Sequence, residues 1–376
     1  EFRDGPGFPN WTGSQDQGTN PMSPRYARHV KPDRIRVESS SLCQLHCPSC
    51  PTASGLAHAV TGKGWLRAPD FETLLAENPW VREVELSNYG EMFLNPQLPE
   101  IFRIARERNV RLTANNGVNL NRAPPEVLEA LVRYRFHSMK CSIDGCTPET
   151  YALYRAGGDL GKVLENIRTI NRIKQAYRSQ FPLLTWQFIA FEHNTHEIPA
   201  ARQLALDLGM DFVLKLSWDP LLAPAAGNEH MTRELGVSSR DEYSHRFGVA
   251  YVQGICRQLW EQPQINWDGK LLGCSRNFWG DFGGNAFTDG LLPSIHNEKI
   301  VHARNMLQGK APPREDVPCS TCDVYRDLAA TGRWIKRSWL PVAFVRKRVK
   351  HPRARAAIKS VLSKNRYLRR WLDHRI

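Results

Sequence analysis

Segments that suit β-strands alternate with segments that suit α-helices over residues 34–218, and this alternation limits the fold more than any other feature of the chain. The β-like segments are residues 34–38, 81–87, 110–114, 138–144, 183–191 and 212–218, and the helix-like segments are residues 71–77, 98–109, 125–134, 161–177 and 197–208. Strands joined by helical crossovers of this length pair in parallel. The sequence therefore predicts an α/β fold of six βα units, with Asp70 as a candidate helix N-cap and Gly209 as a helix-ending glycine.

Polar side chains recur at every second position of the later strands. They are Lys140, Ser142 and Asp144 on the fourth strand, Thr185 and Gln187 on the fifth, and Lys215, Ser217 and Asp219 on the sixth. Residues two apart share one face of a strand, and polar groups inside a sheet wall are costly unless they serve a site. These faces are predicted to line the site, with Lys215 and Ser217 as candidate catalytic residues. A shift of the strand phase by one residue would instead turn them toward helices or solvent.

Three cysteines lie in one short loop directly after the first β-like segment. Cys43, Cys47 and Cys50 have the spacing C-x3-C-x2-C, which brings three thiols of one loop toward a single point. Three protein ligands leave one coordination position open, as in catalytic metal sites, and thiolates are also the ligands of iron–sulfur clusters. A zinc loop with His46 as fourth ligand, or three buried thiols, are the alternatives that the spacing leaves open.

This loop and three later segments resemble the radical S-adenosylmethionine (SAM) superfamily. Residues 86–91 (LSNYGE) resemble its Gly-Gly-Glu segment, residues 113–117 (TANNG) its Thr-Asn-Gly segment, and residues 141–145 (CSIDG) its Ser-x-Asp-Gly segment, which YALYRAGG follows at residues 151–158. The resemblance covers about residues 34–220. Two residues depart from it: Ser49 stands where the family often has an aromatic residue, and Tyr89 replaces the first glycine of Gly-Gly-Glu.

The resemblance implies a partial (β/α)6 TIM-like barrel with a 4Fe–4S cluster on Cys43, Cys47 and Cys50. SAM would bind the open iron, and one electron from an external reductant of the flavodoxin or ferredoxin type would cleave it to a 5′-deoxyadenosyl radical that abstracts a hydrogen atom from the substrate. By position, the SAM contacts would be Gly90 and Glu91 at its amino group, Asn116, Ser142 and Arg155 at its ribose or carboxylate, and Asp144 behind them. The alternative for Arg155 is a surface helix residue.

Four more cysteines lie in the C-terminal third of the chain: Cys256, Cys274, Cys319 and Cys322. Residues 265–274 are two apolar runs split by Asp268-Gly269, which is typical of a β-hairpin. Gly269-x4-Cys274 and Cys319-x2-Cys322 resemble the SPASM/twitch extension of radical SAM enzymes. The resemblance implies one auxiliary 4Fe–4S cluster, since no cysteine follows Cys322. A structural zinc site on the same cysteines is the alternative.

Two cysteines belong to neither set. Free cysteines are usually small buried apolar residues, which is the prediction for Cys141. Cys146 follows the fourth strand, at the predicted mouth of the site, where a thiol could return a hydrogen atom to a substrate radical. Cys146 is therefore the third catalytic candidate, and an inert thiol is its alternative.

Positive charge is concentrated near the C-terminal end. The chain has a net charge of +13, and residues 333–376 carry 15 Lys and Arg residues and one acid, so the preceding residues sum to −1. Residues 354–362 and 367–372 look helical, and aromatic residues lie among the bases. Such a basic helical tail is typical of contact with an anionic membrane surface, nucleic acid or an acidic partner. A terminal helix packed on the body through its tryptophans is the alternative.

The predicted organisation is a disordered leader at 1–21, a radical SAM barrel at 22–220, a bridge at 221–255, an auxiliary-cluster domain at 256–332 and the tail at 333–376. The sequence has no secretory leader and no 18-residue apolar run, and its nine cysteines are odd in number and at metal-type spacings. These features favour a cytoplasmic protein, peripheral to a membrane if the tail binds one.

The short stretch before Cys43 is too small for a peptide-recognition domain. This favours a small-molecule or carbohydrate-type substrate that is dehydrogenated or epimerised. Ribosomal peptide modification is the second expectation, and a zinc-containing nucleic-acid-binding protein is the expectation from another class.

Overall fold

The computed structural model describes residues 30–335. The predicted leader at 1–21, the predicted helices at 354–362 and 367–372, and all of the tail after residue 335 lie outside the described residues. The strands are β1 (Arg34–Val37), β2 (Glu83–Glu85), β3 (Arg111–Val118), β4 (Ser138–Ser142), β5 (Leu183–Ala190), β6 (Asp211–Leu216), β7 (Gln264–Ile265) and β8 (Leu271–Gly273). No helix among residues 30–335 is long and apolar enough to cross a membrane.

The helices lie mainly in the crossovers between these strands. They are α1 (His58–Thr61), α2 (Ala68–Glu77), α3 (Leu98–Glu107), α4 (Pro125–Arg133), α5 (Pro148–Tyr154), α6 (Leu160–Ala176), α7 (Ile198–Asp207), α8 (Glu229–Leu235), α9 (Arg240–Phe247), α10 (Gln258–Glu261), α11 (Leu291–Ile295), α12 (Glu298–Leu307) and α13 (Asp323–Thr331). Short 3₁₀ turns occupy Met92–Leu94, Glu192–Glu197, Gln253–Arg257 and Pro318–Thr321.

All eight strands belong to one sheet, in the order β6-β5-β4-β3-β2-β1-β7-β8. Neighbours from β6 to β1 pair in parallel, as the strand–helix alternation predicts. Strand β7 also pairs in parallel with β1, and β8 returns antiparallel to β7. The predicted α/β fold with six parallel strands is confirmed, and the C-terminal part of the chain extends the same sheet.

The two faces of β4 differ in the way that the strand phase predicts. Met139 and Cys141, together with Ile143 just beyond the strand, are completely buried in the core between the sheet and its helices. Lys140 and Ser142 occupy the other face. Cys141 is therefore the small buried core residue that its sequence environment suggests, and the polar face is left for the site.

Helix ends follow the local sequence. The prediction that Asp70 caps α2 is wrong, because Pro69 suits the first helical turn and the helix already begins at Ala68. The Asp70 carboxylate instead accepts a hydrogen bond from Arg67 at 2.8 Å. Gly209 has the expected positive φ, 64°, just past the end of α7.

The hairpin predicted around Asp268-Gly269 is confirmed as β7 and β8. Gly269 has φ 91°, and a Cβ atom there would lie 2.0 Å from Asn285 Oδ1, so only glycine fits this turn. The predicted bridge contains α8 and α9, whose N-caps are Asn228 and Ser239.

Candidate functional site

The loop after β1 holds the three front cysteines close together. Cys47 is 7% exposed, Cys43 and Cys50 are half-buried, and the Cys50 amide donates to the Cys47 carbonyl at 3.1 Å. Burial, then the Glu91 carboxylate and the two neighbouring thiols, raise the pKa of Cys43 to about 12. The front thiol Cys43 therefore keeps its proton until a cation binds, as expected for a metal ligand.

The donor set of this loop suits an iron–sulfur cluster. Three thiols lie in one short segment, and Asn119 Nδ2 lies 3.7 Å from Cys43 Sγ, where it can donate to the sulfur. Within residues 30–335 no three His, Cys, Asp or Glu side chains are grouped as a single bound metal ion requires. Thiols that ligate different irons of one cluster do not need to converge so tightly.

A buried carboxylate that the sequence analysis missed holds the 86–91 segment against β1. The Tyr89 and Gly90 amides donate to the two oxygens of Glu38 at 3.2 and 3.1 Å. Burial raises the pKa of Glu38 to about 7. A Cβ atom on Gly90 would lie 1.7 Å from the Ser40 carbonyl oxygen, so this close approach of two backbones requires glycine.

Glu91 organises the next loop through its carboxylate. It accepts hydrogen bonds from the Phe93 amide at 3.2 Å and from the Asn119 amide at 2.6 Å, and it is 2% exposed. Burial raises the pKa of Glu91 to about 7. Its contact with the amino group of SAM stays a prediction.

Asn116 lies near the carboxyl end of β3, where the pairing with β4 shifts register and the Glu85 carboxylate holds the backbone. The Glu85 carboxylate accepts from Thr113 Oγ1 at 2.6 Å, from the Asn115 amide at 2.7 Å and from Ser87 Oγ at 2.5 Å. The Asn116 amide donates to Glu85 and to Ser87. Its side chain is exposed at this edge of the sheet, where a ligand can reach it.

Ser142 lies beside β3 and β5. Its hydroxyl accepts from Gln187 Nε2 at 3.2 Å, and the same nitrogen lies 3.4 Å from the Asn116 carbonyl oxygen. A Cβ atom on Gly117 would lie 2.3 Å from Ser142 Oγ, so glycine lets the two strand ends approach. Gln187 Oε1 is buried and has no hydrogen-bond partner among the described residues.

Asp144 and Arg155 form a buried ion pair. Asp144 Oδ2 lies 2.6 Å from Arg155 Nη2 and 2.7 Å from its Nε, and Oδ1 accepts from the Ile189 amide at 2.8 Å. The side chains are 0% and 13% exposed, so the interpretation of Arg155 as a surface residue is wrong. Burial raises the pKa of the Cys47 thiol, and the nearby Arg155 guanidinium partly opposes this effect. The pair thus adjoins the front cysteine loop.

The three catalytic candidates have different surroundings. Lys215 is half-buried on the polar face of β6, where burial, then Lys140 and Arg240, lower its pKa to about 8. The Ser217 hydroxyl shapes the turn after β6, because it donates to the Asp219 carbonyl at 2.9 Å and accepts from the Asp219 amide.

Cys146 lies two residues before α5 and contacts a carboxylate. Its amide donates to Glu197 at 2.6 Å. Burial, then Glu197, raise the pKa of its thiol to about 11, so the thiol stays protonated at neutral pH. The catalytic roles of Cys146, Lys215 and Ser217 stay predictions.

The four rear cysteines line one cavity. The walls of this small cavity include Cys256, Cys274, Cys319 and Cys322 together with Leu259, Trp279 and Phe282. Burial, followed by the other thiols of the set, raises the pKa of both Cys256 and Cys319. Four thiols around one apolar cavity suit a fully ligated iron–sulfur cluster.

Tyr89 connects the two cysteine sites. Its carbonyl accepts from Thr52 Oγ1 at 2.9 Å, two residues after Cys50, and its hydroxyl donates to the Arg276 carbonyl at 2.5 Å, two residues after Cys274. Its ring packs edge-on against Phe278, with 5.5 Å between the centroids. The residue that departs from the Gly-Gly-Glu segment thus contacts both loops.

Comparison with solved structures identifies the fold. SuiB of Streptococcus suis bound to S-adenosylmethionine aligns at a TM-score of 0.56 with 13% identity, over 79% of this chain and 72% of that chain. The chain has the radical SAM fold. SuiB bound to the precursor peptide SuiA aligns at 0.54 with 12% identity, over 79% and 71% of the two chains. BtrN in complex with AdoMet and 2-DOIA is a weaker match, at 0.44 with 15% identity over 78% and 93%.

No family model matches the sequence, and no curated protein sequence is a significant match. Within this radical SAM fold, the residues that the sequence analysis missed are the buried organisers Glu38 and Glu85, whereas Gln187 is one of the polar residues that the strand phase predicts for the site. Glu38 and Glu85 each lie near the end of a β-like segment, where a carboxylate among apolar residues was the available signal. Nothing in the sequence marked Tyr89 as a link to the rear site, because its partner is 187 residues away.

Proposed function

We propose that this chain is a radical SAM enzyme that acts on a small-molecule or carbohydrate-type substrate. The observation that carries the proposal is the position of Cys43, Cys47 and Cys50 beside the buried Asp144–Arg155 pair, at the carboxyl ends of the strands of a radical SAM fold. Ligands of parallel α/β sheets bind at this edge. The four sequence motifs lie along this edge of the sheet in the same order as in the sequence.

In this proposal, Cys43, Cys47 and Cys50 hold a 4Fe–4S cluster with one open iron for SAM. When bound and reduced by an external one-electron donor, such a cluster supplies reductive cleavage of SAM to a 5′-deoxyadenosyl radical. Arg155, whose position Asp144 fixes, offers a guanidinium to the SAM carboxylate. Asn116 and Ser142 hold the ribose, and Gly90 lets the 86–91 segment approach the amino group.

The rear cysteines hold an auxiliary 4Fe–4S cluster in the proposed enzyme. If the substrate radical gives one electron to this cluster and one proton to solvent, the overall reaction is a dehydrogenation. If a thiol such as Cys146 returns a hydrogen atom instead, the reaction is an epimerisation, and one electron from the external donor and one proton restore the thiol. The protonated state of Cys146 at neutral pH is the one that hydrogen-atom return requires.

Peptide modification is the second candidate. It is supported by the likeness to SuiB, which has been solved with its precursor peptide SuiA. The reaction in this case would use the same SAM site with a peptide in place of the small molecule.

Anaerobic reconstitution tests the proposal. The protein is loaded with iron and sulfide, reduced with dithionite and given SAM, and 5′-deoxyadenosine is measured by mass spectrometry. We expect product from the wild-type chain and from Cys141→Ala, and none from the triple variant Cys43→Ala/Cys47→Ala/Cys50→Ala. Cys141 is a matched control because it is a cysteine of the core, outside both sets. Iron-free protein, or product from the triple variant, would refute the proposal.

A further inference from the structure

The polar face of the sheet carries two lysines that lack an acidic partner. Lys140 on β4 and Lys215 on β6 are half-buried, and neither forms an ion pair or hydrogen bond with a carboxylate in the part of the chain that the structure describes. They are near enough for the charge of Lys140 to lower the pKa of Lys215. Two like charges that are partly removed from water repel each other unless an anion lies between them.

The acids of this face are already occupied. Glu85 is saturated by hydroxyl and amide donors of β3 and the turn after β2, and its charge also faces Arg36. Asp144 is paired with Arg155. Both carboxylates still raise the pKa of Lys215, and Glu85 raises that of Lys140, but burial outweighs them and the pKa of each lysine stays lowered.

A third cation lies at the edge of the same region. Arg240 of α9 donates to the Leu216 carbonyl and lies over the ring of Tyr251, with 5.0 Å from its guanidinium carbon to the ring centroid. Its positive charge also reaches Lys215. Three cations of separate elements thus lie on or beside this face of the sheet.

A buried acceptor without a donor lies on the strand between the lysines. Gln187 of β5 pairs with Ser142 on one side and with Val213 on the other, and Lys215 follows Val213 by two residues on the same face. The Asn116 carbonyl oxygen fixes the amide orientation, because only the nitrogen of Gln187 can donate to it. Gln187 Oε1 is therefore an unsatisfied acceptor that a hydroxyl or amino group of a ligand can satisfy.

We propose that the substrate carries an oxyanion, a carboxylate or a phosphate, which Lys140 and Lys215 bind on the polar face of β4 and β6 with Arg240 at its edge. The same substrate presents a hydroxyl or amino group to Gln187. This inference rests on the proposed function in assuming that the substrate occupies this face. It narrows the substrate class to polar anions, such as phosphorylated polyols or hydroxy acids.

Lysine labelling of the full chain tests the inference without any turnover. Lysines are acylated briefly with a succinimidyl ester, with or without inorganic phosphate or succinate at constant ionic strength, and each site is quantified by peptide mass spectrometry. At an anion concentration ten times its dissociation constant, we expect labelling of Lys140 and Lys215 to fall about tenfold. Exposed Lys162 on α6 is the control and should not change. Stronger protection of the lysines by phosphate indicates a phosphorylated substrate, and stronger protection by succinate indicates a carboxylate.

Variants extend the test to affinity. Lys215→Met keeps most of the side-chain volume and removes its charge, so the affinity for the protecting anion should fall roughly 10- to 100-fold, as judged by protection of Lys140. Lys162→Met should leave it unchanged. If neither anion protects the lysines, or if SAM alone protects them equally, the inference is wrong. Formation of 5′-deoxyadenosine by the same preparation shows separately whether the proposed function stands.

Discussion

The two cysteine sites are built in opposite ways. The front site takes Cys43, Cys47 and Cys50 from one loop of eight residues, whereas the rear site gathers its four cysteines from three segments spread over residues 256–322. The front loop is held by hydrogen bonds to neighbouring segments, such as those from the His46 amide to the Ala156 carbonyl at 2.8 Å and from Gln44 Nε2 to Asn119 Oδ1 at 2.7 Å. The rear cavity is walled mainly by apolar side chains. The shape of the front site is therefore fixed by the surrounding protein. The shape of the rear site depends more on a bound metal group that joins its three segments.

This difference has a thermodynamic consequence. Closing a short loop costs little chain entropy. A bound group that joins distant segments removes more entropy from the unfolded chain and therefore stabilises the folded chain more. In the proposed holoenzyme, metal at the rear site would contribute to folding, and metal at the front site would contribute mainly to chemistry. Four predictions test or refine this contrast.

The largest effect is expected from Cys319→Ala/Cys322→Ala. Loss of the rear metal should destabilise the reconstituted protein by more than about 5 kcal/mol, since metal bound at a closed site contributes directly to folding. The front triple variant should lose much less. Thermal unfolding under anaerobic conditions measures both, and equal losses of stability would contradict the contrast.

Asp144→Asn should have the next largest effect. It leaves Arg155 buried without a partner, which costs about 3–5 kcal/mol of unfolding free energy. The matched control is Asp323→Asn at the rear, where Asp323 is 65% exposed and pairs with Arg276, so a loss of at most about 1 kcal/mol is expected. Urea unfolding of the metal-free proteins compares the two, and similar losses would show that burial of the front pair does not matter.

The pH dependence of stability should also separate the sites. The pKa values of Glu38 and Glu91 are raised by burial from 4.5 to about 7, so between these values the folded chain holds protons that the unfolded chain has lost. The contribution of these two protonated carboxyl groups to the unfolding free energy is present below pH 4.5 and is lost as the pH rises through 7. The loss is on the order of 3 kcal/mol for each group.

At the rear, burial opposes ionisation of Asp323, but Arg276 and the neighbouring hydrogen-bond donors together lower its pKa. The stabilising contribution of Asp323 is therefore lost as the pH falls. Urea unfolding of the metal-free chain at several pH values measures this dependence. In Glu91→Gln the stability loss from pH 4.5 to 7 should be smaller than in the wild type, and an unchanged slope would contradict the prediction.

The smallest effect is expected from Tyr89→Phe. It removes one hydrogen bond, from the phenol to the Arg276 carbonyl, and keeps the ring against Phe278, so the loss should be about 1 kcal/mol. Amide hydrogen exchange should increase at residues 274–278 and stay unchanged at residues 43–50. Faster exchange in both loops would mean that the hydroxyl also supports the front site.

The sequence predicted what depends on short-range pattern. Strands β4 and β5 begin at the predicted residues because apolar runs and turn residues mark them locally, and the phase of β4 followed from simple alternation. Cys43, Cys47 and Cys50 were found together because their spacing alone brings them near one another. Helix α5 was missed, although Thr147 and Pro148 give it an ordinary start, because the segment was interpreted only as a motif.

Contacts between distant segments could not be predicted. The pairing of β7 with β1 joins residues more than 200 positions apart, and no local signal selects that edge. The same holds for the roles of Glu38 and Gln187, whose partners lie on other strands. The N-cap assignment of Asp70 failed for a local reason, because the proline before it had already started the helix.

The place of β7 has a practical consequence for anyone who shortens this chain. Strand β1 receives hydrogen-bond partners on both sides, and the Arg36 and Glu38 amides donate to Pro263 and Ile265. A fragment that stopped before residue 256 would leave those amides at a bare sheet margin, next to the front cysteine loop. Unpaired margins of this kind recruit strands from other molecules, so the isolated N-terminal part is expected to self-associate.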